Sequence, residues 1–95
     1  MRDYELTLVI RPDVEDTGLA ALLEKIKGLI TTAGGQGIQV EPWGRRHLAY
    51  PIKKITEAQY FLIRAQLPAQ TLIELERQIR LMEQVLRFLL VRTDE

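Results

Sequence analysis

The feature that most constrains the fold of this chain is a hydrophobic pattern that changes period along its length. Residues 3–11, DYELTLVIR, alternate, with Tyr4, Leu6, Leu8 and Ile10 on one face and Glu5, Thr7, Val9 and Arg11 on the other. That is the signature of a strand with one buried face. Pro12 stops it, because proline has no amide to donate and fixes its own φ. The period then lengthens: Leu19, Leu22, Leu23, Ile26, Leu29, Ile30 and Ala33 recur at three- and four-residue spacing and predict an amphipathic helix. Asp13, Glu15 and Asp16 suit its start, and Gly34-Gly35 its end. Gly28, inside that helix, implies close packing on a sheet.

Two strands follow, at roughly 37–50 and 58–67, joined by a basic loop or long hairpin around Pro51–Glu57. The second places Phe61, Ile63, Ala65 and Leu67 on one face and Tyr60, Leu62, Arg64 and Gln66 on the other. Pro68 opens a second helix over 69–82, with Leu72, Leu75, Ile79 and Met82 as its stripe. The run VLRFLLVR closes the pattern as a strand apolar on nearly every position, expected to be central or bound on its second face. The order β-α-β-β-α-β with right-handed crossovers predicts an α+β, ferredoxin-like sandwich: a four-stranded antiparallel sheet with two helices on one face. The other sheet face is left open. A length of 95 residues fits one domain over 1–95. The opening residues are not a signal peptide and no apolar run approaches a membrane span, so a soluble intracellular protein is expected.

Catalysis is poorly served by this composition. The chain has no cysteine, no serine and one histidine, His47, so disulfides, thiolate ligands, a serine or cysteine nucleophile and a His-based metal cluster are excluded. Gly34, Gly35 and Gly37 read as a helix stop, not as a phosphate cradle. The acylphosphatase version of this scaffold needs a glycine-rich loop after its first strand, and here that position is the acidic RPDVEDTG. No enzyme activity and no cofactor are expected. An RNA-recognition module shares the topology but stacks bases on several sheet aromatics, whereas only Tyr60 in the third strand faces the open side.

Charge is where the chain departs from an ordinary globular domain. Thirteen Lys+Arg balance thirteen Asp+Glu, yet residues 44–64 hold Arg45, Arg46, Lys53, Lys54 and Arg64 against Glu57 alone, a local charge of +4. Most of these cations sit in GRRHLAYPIKK, residues 44–54. One reading is a phosphate-binding patch in which arginines grip phosphate and Tyr50 or Trp43 stacks on a base. The other is a solvated hairpin whose Leu48, Tyr50 and Ile52 fill the core. Arg45 and Lys53 have opposite parity to Arg46 and Lys54, so regular strand geometry does not put all four on one face.

The run GRRHLAYPIK resembles the signature of the sixth protein of the bacterial small ribosomal subunit. In that family a glycine and basic residues precede Leu-Ala-Tyr-x-Ile. The start MRDYELTLVIRPD and the tail VLRFLLVR are similar to the family's first and last strands, so the resemblance spans nearly the whole chain. It implies a ferredoxin-like fold and a cytoplasmic role in the ribosome, binding the central domain of small-subunit ribosomal RNA. It also implies a heterodimer with the eighteenth protein of the same subunit, a small basic partner. Arg45, Arg46, Tyr50, Lys53 and Lys54 match the signature and are the first candidates for contacting RNA or the partner. Arg2 and Tyr4 match the start and come next, and His47 is a weaker candidate. Trp43 is not part of the pattern and is either an exposed anchor or core. Two other readings remain on the same scaffold: a small-ligand regulatory domain, and a single-strand RNA binder that acts without a partner.

Overall fold

The computed structural model describes residues 1–93. Its elements are β1 (Arg2–Ile10), α1 (Asp16–Thr32), β2 (Gln36–Ile52), β3 (Ile55–Leu67), a 3-10 turn (Ala69–Thr71), α2 (Leu72–Arg80) and β4 (Val85–Arg92). The four strands form one antiparallel sheet in the order β2-β3-β1-β4, with both helices against one face. The ferredoxin-like topology expected from the pattern is therefore the one observed.

The sheet is built on register. Leu6 lies opposite Ile63 and Leu90, and Leu8 opposite Phe61 and Phe88, so one face of β1 meets like faces on both neighbours. Leu22, Ile26 and Ile30 of α1 and Leu75 and Ile79 of α2 close over that face. Burying a Leu or Ile side chain of this kind contributes roughly 1.5–3 kcal/mol each. No buried side chain is polar or charged among the described residues, so the core carries no polar-burial penalty. No helix of the described chain is long and apolar enough to cross a membrane.

Several local expectations change. Of the basic loop or long hairpin expected around Pro51–Glu57, the structure has the long hairpin. The strands run on to Ile52 and Ile55, which pair, and only Lys53 and Lys54 turn the chain. Both have positive φ, +50° and +67°, as a two-residue type I′ turn requires. The second helix is shorter than 69–82, because its first turn is 3-10 and the chain leaves helix after Arg80, although Met82 still packs in the core. Glu15 stands at the N-cap of α1 without a side-chain capping bond. The final strand is neither central nor covered on its second face: β4 is a sheet edge, with Leu89 and Val91 exposed.

The two glycine expectations also separate. At Gly28 an added Cβ would meet nothing within 4 Å, so the proposed tight packing on the sheet is absent and the residue only weakens the helix. At Gly35 the added atom would lie 2.5 Å from Ile30 Cγ2 and 2.8 Å from the Ile30 carbonyl oxygen. The helix end is pulled that close because the Gly35 amide donates to the same carbonyl at 2.8 Å. Gly28→Ala should accordingly raise unfolding stability by up to about 1 kcal/mol, while Gly35→Ala should lower it by roughly 1–3 kcal/mol. Urea denaturation of the two variants gives both signs, and equal effects would contradict the packing described.

Candidate nucleic-acid interface

The basic segment lies on an arm that the core does not hold. β2 is an edge strand of 17 residues, and none of them is buried. β3 is longer than β1: Gln59–Leu67 pair with β1, while residues 55–58 run on past its end at Ile10 with only β2 beside them. Leu48 and Ile52 are half-buried, and Tyr50 is 64% exposed, so the reading in which this trio fills the core is ruled out.

Near its base the arm carries an interruption that sets which side chains share a face. Pro42 pairs with Phe61 and Gly44 with Tyr60, so Trp43 is an extra residue, and Gly44 adopts φ +79° there. This is a β-bulge, and it reverses the parity of everything after it. Glu41, Trp43 and Arg46 therefore come together on the open sheet face. The Arg46 guanidinium stands 5.3 Å from the Trp43 ring centre and 5.7 Å from that of Tyr60. An exposed stack of this type is worth about 0.5–1 kcal/mol per ring. Trp43 is 36% exposed and donates its indole N–H to Glu41 Oε2 at 2.7 Å. It is an open-face residue and not part of the core.

The same face is tied across three strands by Arg64. Its Nε donates to Glu5 of β1 at 3.0 Å and its Nη1 to Glu41 of β2 at 3.1 Å. The Trp43 indole and then Arg64 hold the Glu41 carboxyl below its ordinary value. A connected run of polar contacts, Glu5–Arg64–Glu41–Trp43, thus leads to the Arg46 stack. Parity alone did not reveal this grouping. The signal available in the sequence was Gly44 after Trp43 in an alternating strand, which marks a bulge.

The structure separates the other candidates. Beyond the bulge Arg45 points to the helix side, opposite to Arg46, and donates to the Pro12 carbonyl oxygen at 2.9 Å and to Glu57 Oε1 at 3.3 Å. It straps the β1–α1 connection to the arm. Gln59 reinforces this joint by donating to the Arg11 and Val14 carbonyl oxygens. Tyr4, expected as a contact residue, is 6% exposed and belongs to the core, where it pairs with Ala65, so it is removed from the interface. Arg46, His47, Tyr50, Lys53 and Lys54 are exposed along the arm and its tip. Arg2 is exposed too, but pairs with Leu67 at the other end of β3, away from the tip. No cluster of three or more metal-ligating side chains occurs among the described residues.

An open-faced ferredoxin-like sandwich with an exposed cationic and aromatic arm is the build of a binding protein. The profile of the family described as ribosomal protein S6 matches residues 3–92, and the chain belongs to that family of non-enzymatic small-subunit constituents. It is 38% identical over 95 residues to small ribosomal subunit protein bS6 of Heliobacterium modesticaldum, covering 100% of this chain and 99% of that one. It is 39% identical to the bS6 of Moorella thermoacetica, over 100% and 97% of the two chains. The solved 30S ribosomal protein S6 of Thermotoga maritima superposes with a TM-score of 0.90 at 34% identity, over 97% of this chain and 87% of that one. Family membership places the chain in the cytoplasmic bacterial ribosome.

The Glu41 contacts have a pH consequence. A carboxyl whose folded value is lowered favours the folded state above its unfolded value, and that contribution fades as pH falls through the lowered folded value. NMR titration of the Glu41 side chain should show a midpoint below that of an ordinary glutamate. Trp43→Phe should move it upward by removing the larger cause, and Arg64→Met should move it upward as well. An unshifted midpoint in the unmodified protein would contradict the contacts.

Proposed function

We propose that the chain binds the central domain of small-subunit ribosomal RNA together with the eighteenth small-subunit protein, as a heterodimer. The observation that supports this reading best is the arm itself. A strand of 17 residues with no buried side chain does little for the core. It ends in two lysines held at positive φ, a conformation that costs a non-glycine residue roughly 1–3 kcal/mol. Asn-Gly would make the same turn with little strain, so lysine at both positions favours a role for the charge.

The roles follow from position. Lys53 and Lys54 supply point charge to phosphates at the tip. Tyr50 and His47 present rings along the arm. Arg46, fixed by Trp43 and Tyr60, is presented in a set orientation and loses little freedom on binding. Arg45 acts by positioning the arm, and Arg2 contributes a separate contact at the far end of the sheet. With a formal net charge of zero, the protein has little long-range attraction for a polyanion. A strongly basic partner supplies that attraction, and coupling the two binding events gives affinity that neither protein has alone.

The test separates stability from binding. Lys53→Asn with Lys54→Gly relieves the strained turn and should raise unfolding stability by about 1 kcal/mol. The same variant should weaken binding to central-domain RNA in the presence of the basic partner, and should shallow the log–log salt slope by roughly one to two units. Filter binding over a salt series, with and without the partner, measures this. Unchanged binding by the stabilised variant would remove the tip from the interface. Equal affinity without the partner would replace the heterodimer with an autonomous RNA binder.

A further inference from the structure

The sheet has two edges, and they are treated differently. The β2 edge is blunted by Pro42 and Pro51, by left-handed Gly37 and Gly44, and by three register shifts. Each of these devices discourages another strand from pairing there. The β4 edge has none of them beyond one irregularity at Leu86, where Val9 pairs with Arg87 but Ile10 with Val85. From Arg87 to Arg92 its register is regular, it contains no proline, glycine or lysine, and Leu89 and Val91 are 61% and 40% exposed. A regular, apolar, unblunted edge is a template for strand addition.

Beside this edge runs a groove of about 460 Å³ between α2 and β4. Ile79 and the half-buried Phe88 give it apolar walls. Its charge is lopsided: Lys53 from the hairpin tip, Arg80 from the end of α2 and Arg87 from β4 line it, against Glu76 alone. The Arg80 guanidinium stands over the Phe88 ring, 5.5 Å from its centre, and its Nη2 is 3.7 Å from Glu76 Oε1. A strand edge flanked by a helix, with an apolar trough between them, is the geometry by which extended peptides are bound.

We propose that this edge and groove form a second docking site, distinct from the RNA-binding arm, for an extended protein segment that alternates apolar and acidic side chains. Main-chain bonds to β4 supply general affinity. Successive side chains of a strand face opposite sides, so its apolar set seats beside Leu89 and Val91 on the open side. Its carboxylates turn to the groove side and meet Arg80 and Arg87. A second copy of this chain is a poor occupant, because β4 holds no carboxylate and self-pairing would set Arg87 and Arg92 against like charges. RNA is also a poor occupant, since it offers no strand to pair with β4 and its phosphates would face exposed edge carbonyl oxygens.

The probe is an acetylated, amidated hexapeptide of alternating glutamate and valine, titrated into the 15N-labelled full chain. Saturable shifts should appear in the amides of β4 and at Ile79 and Arg80. The matching lysine–valine hexapeptide should bind the same protein about tenfold or more weakly, a comparison independent of whether any variant folds. Arg80→Glu with Arg87→Glu should reduce affinity for the acidic peptide by a similar factor. Absence of saturable shifts, shifts centred on β2, equal binding of the basic peptide, or tighter binding of a uridine oligonucleotide at the same amides would each overturn the proposal.

Discussion

The pairing of β1 with β3 is the constraint on which the rest of the structure depends. Their register sets Leu6 against Ile63 and Leu8 against Phe61, and a slip of one residue would turn every one of these side chains to solvent. β4 adds to the free side of β1 and β2 to the free side of β3, and both helices pack on the face that this central pair defines. The arm is a consequence of the same pair. β1 ends at Ile10 just before Pro12, whereas β3 begins four residues beyond its last β1 partner, Gln59. What β3 pairs with in that overhang is only β2, and so a two-stranded ribbon leaves the body of the sheet.

Charge is organised around that ribbon more than its neutral total suggests. Arg64 is neutralised between Glu5 and Glu41, and Arg45 is engaged by Glu57 and the Pro12 carbonyl. Those two arginines maintain the platform. Arg46, Lys53 and Lys54 take part in none of the ion pairs observed among the described residues, and Arg46 is held by aromatic rings instead. The two uses are interleaved within a few residues, which is why composition over 44–64 overstates the charge available to a ligand. A planar fork that donates to two separate partners at once suits the structural arginines, while the tip uses the compact ammonium of lysine.

Most of the fold was legible because its elements obey simple periods. The core faces of DYELTLVIR and AQYFLIRAQL and the helical stripe from Leu19 lie where their periods put them, although Val9 and Leu62 are buried on the opposite sheet face as well and Ala33 caps the helix from outside. The hairpin was less so. Lys53-Lys54 is not a turn dipeptide by composition, and its positive φ values are imposed by the pairing of Ile52 with Ile55. Tyr4 was a contact candidate because it matches the start of the resembled family, yet its parity with Leu6 and Leu8 already placed it inside. Trp43, Arg46 and Tyr60 were visible singly but not as a group, since the bulge that unites them changes the parity by one. The edge position of β4 could not be read from an apolar run, which looks the same whether a strand is central or waiting for a partner.

Amide hydrogen exchange of the β2–β3 arm, in the free protein and in the complex with central-domain RNA and the basic partner, tests the central claim most directly. In the free protein, amides of residues 46–57 should exchange through local opening, well before those of β1 and the adjoining half of β3. In the complex they should slow more than those of any other segment. Exchange of the arm only through global unfolding, or an arm equally fast with and without RNA and partner, would contradict the claim that this ribbon exists for binding.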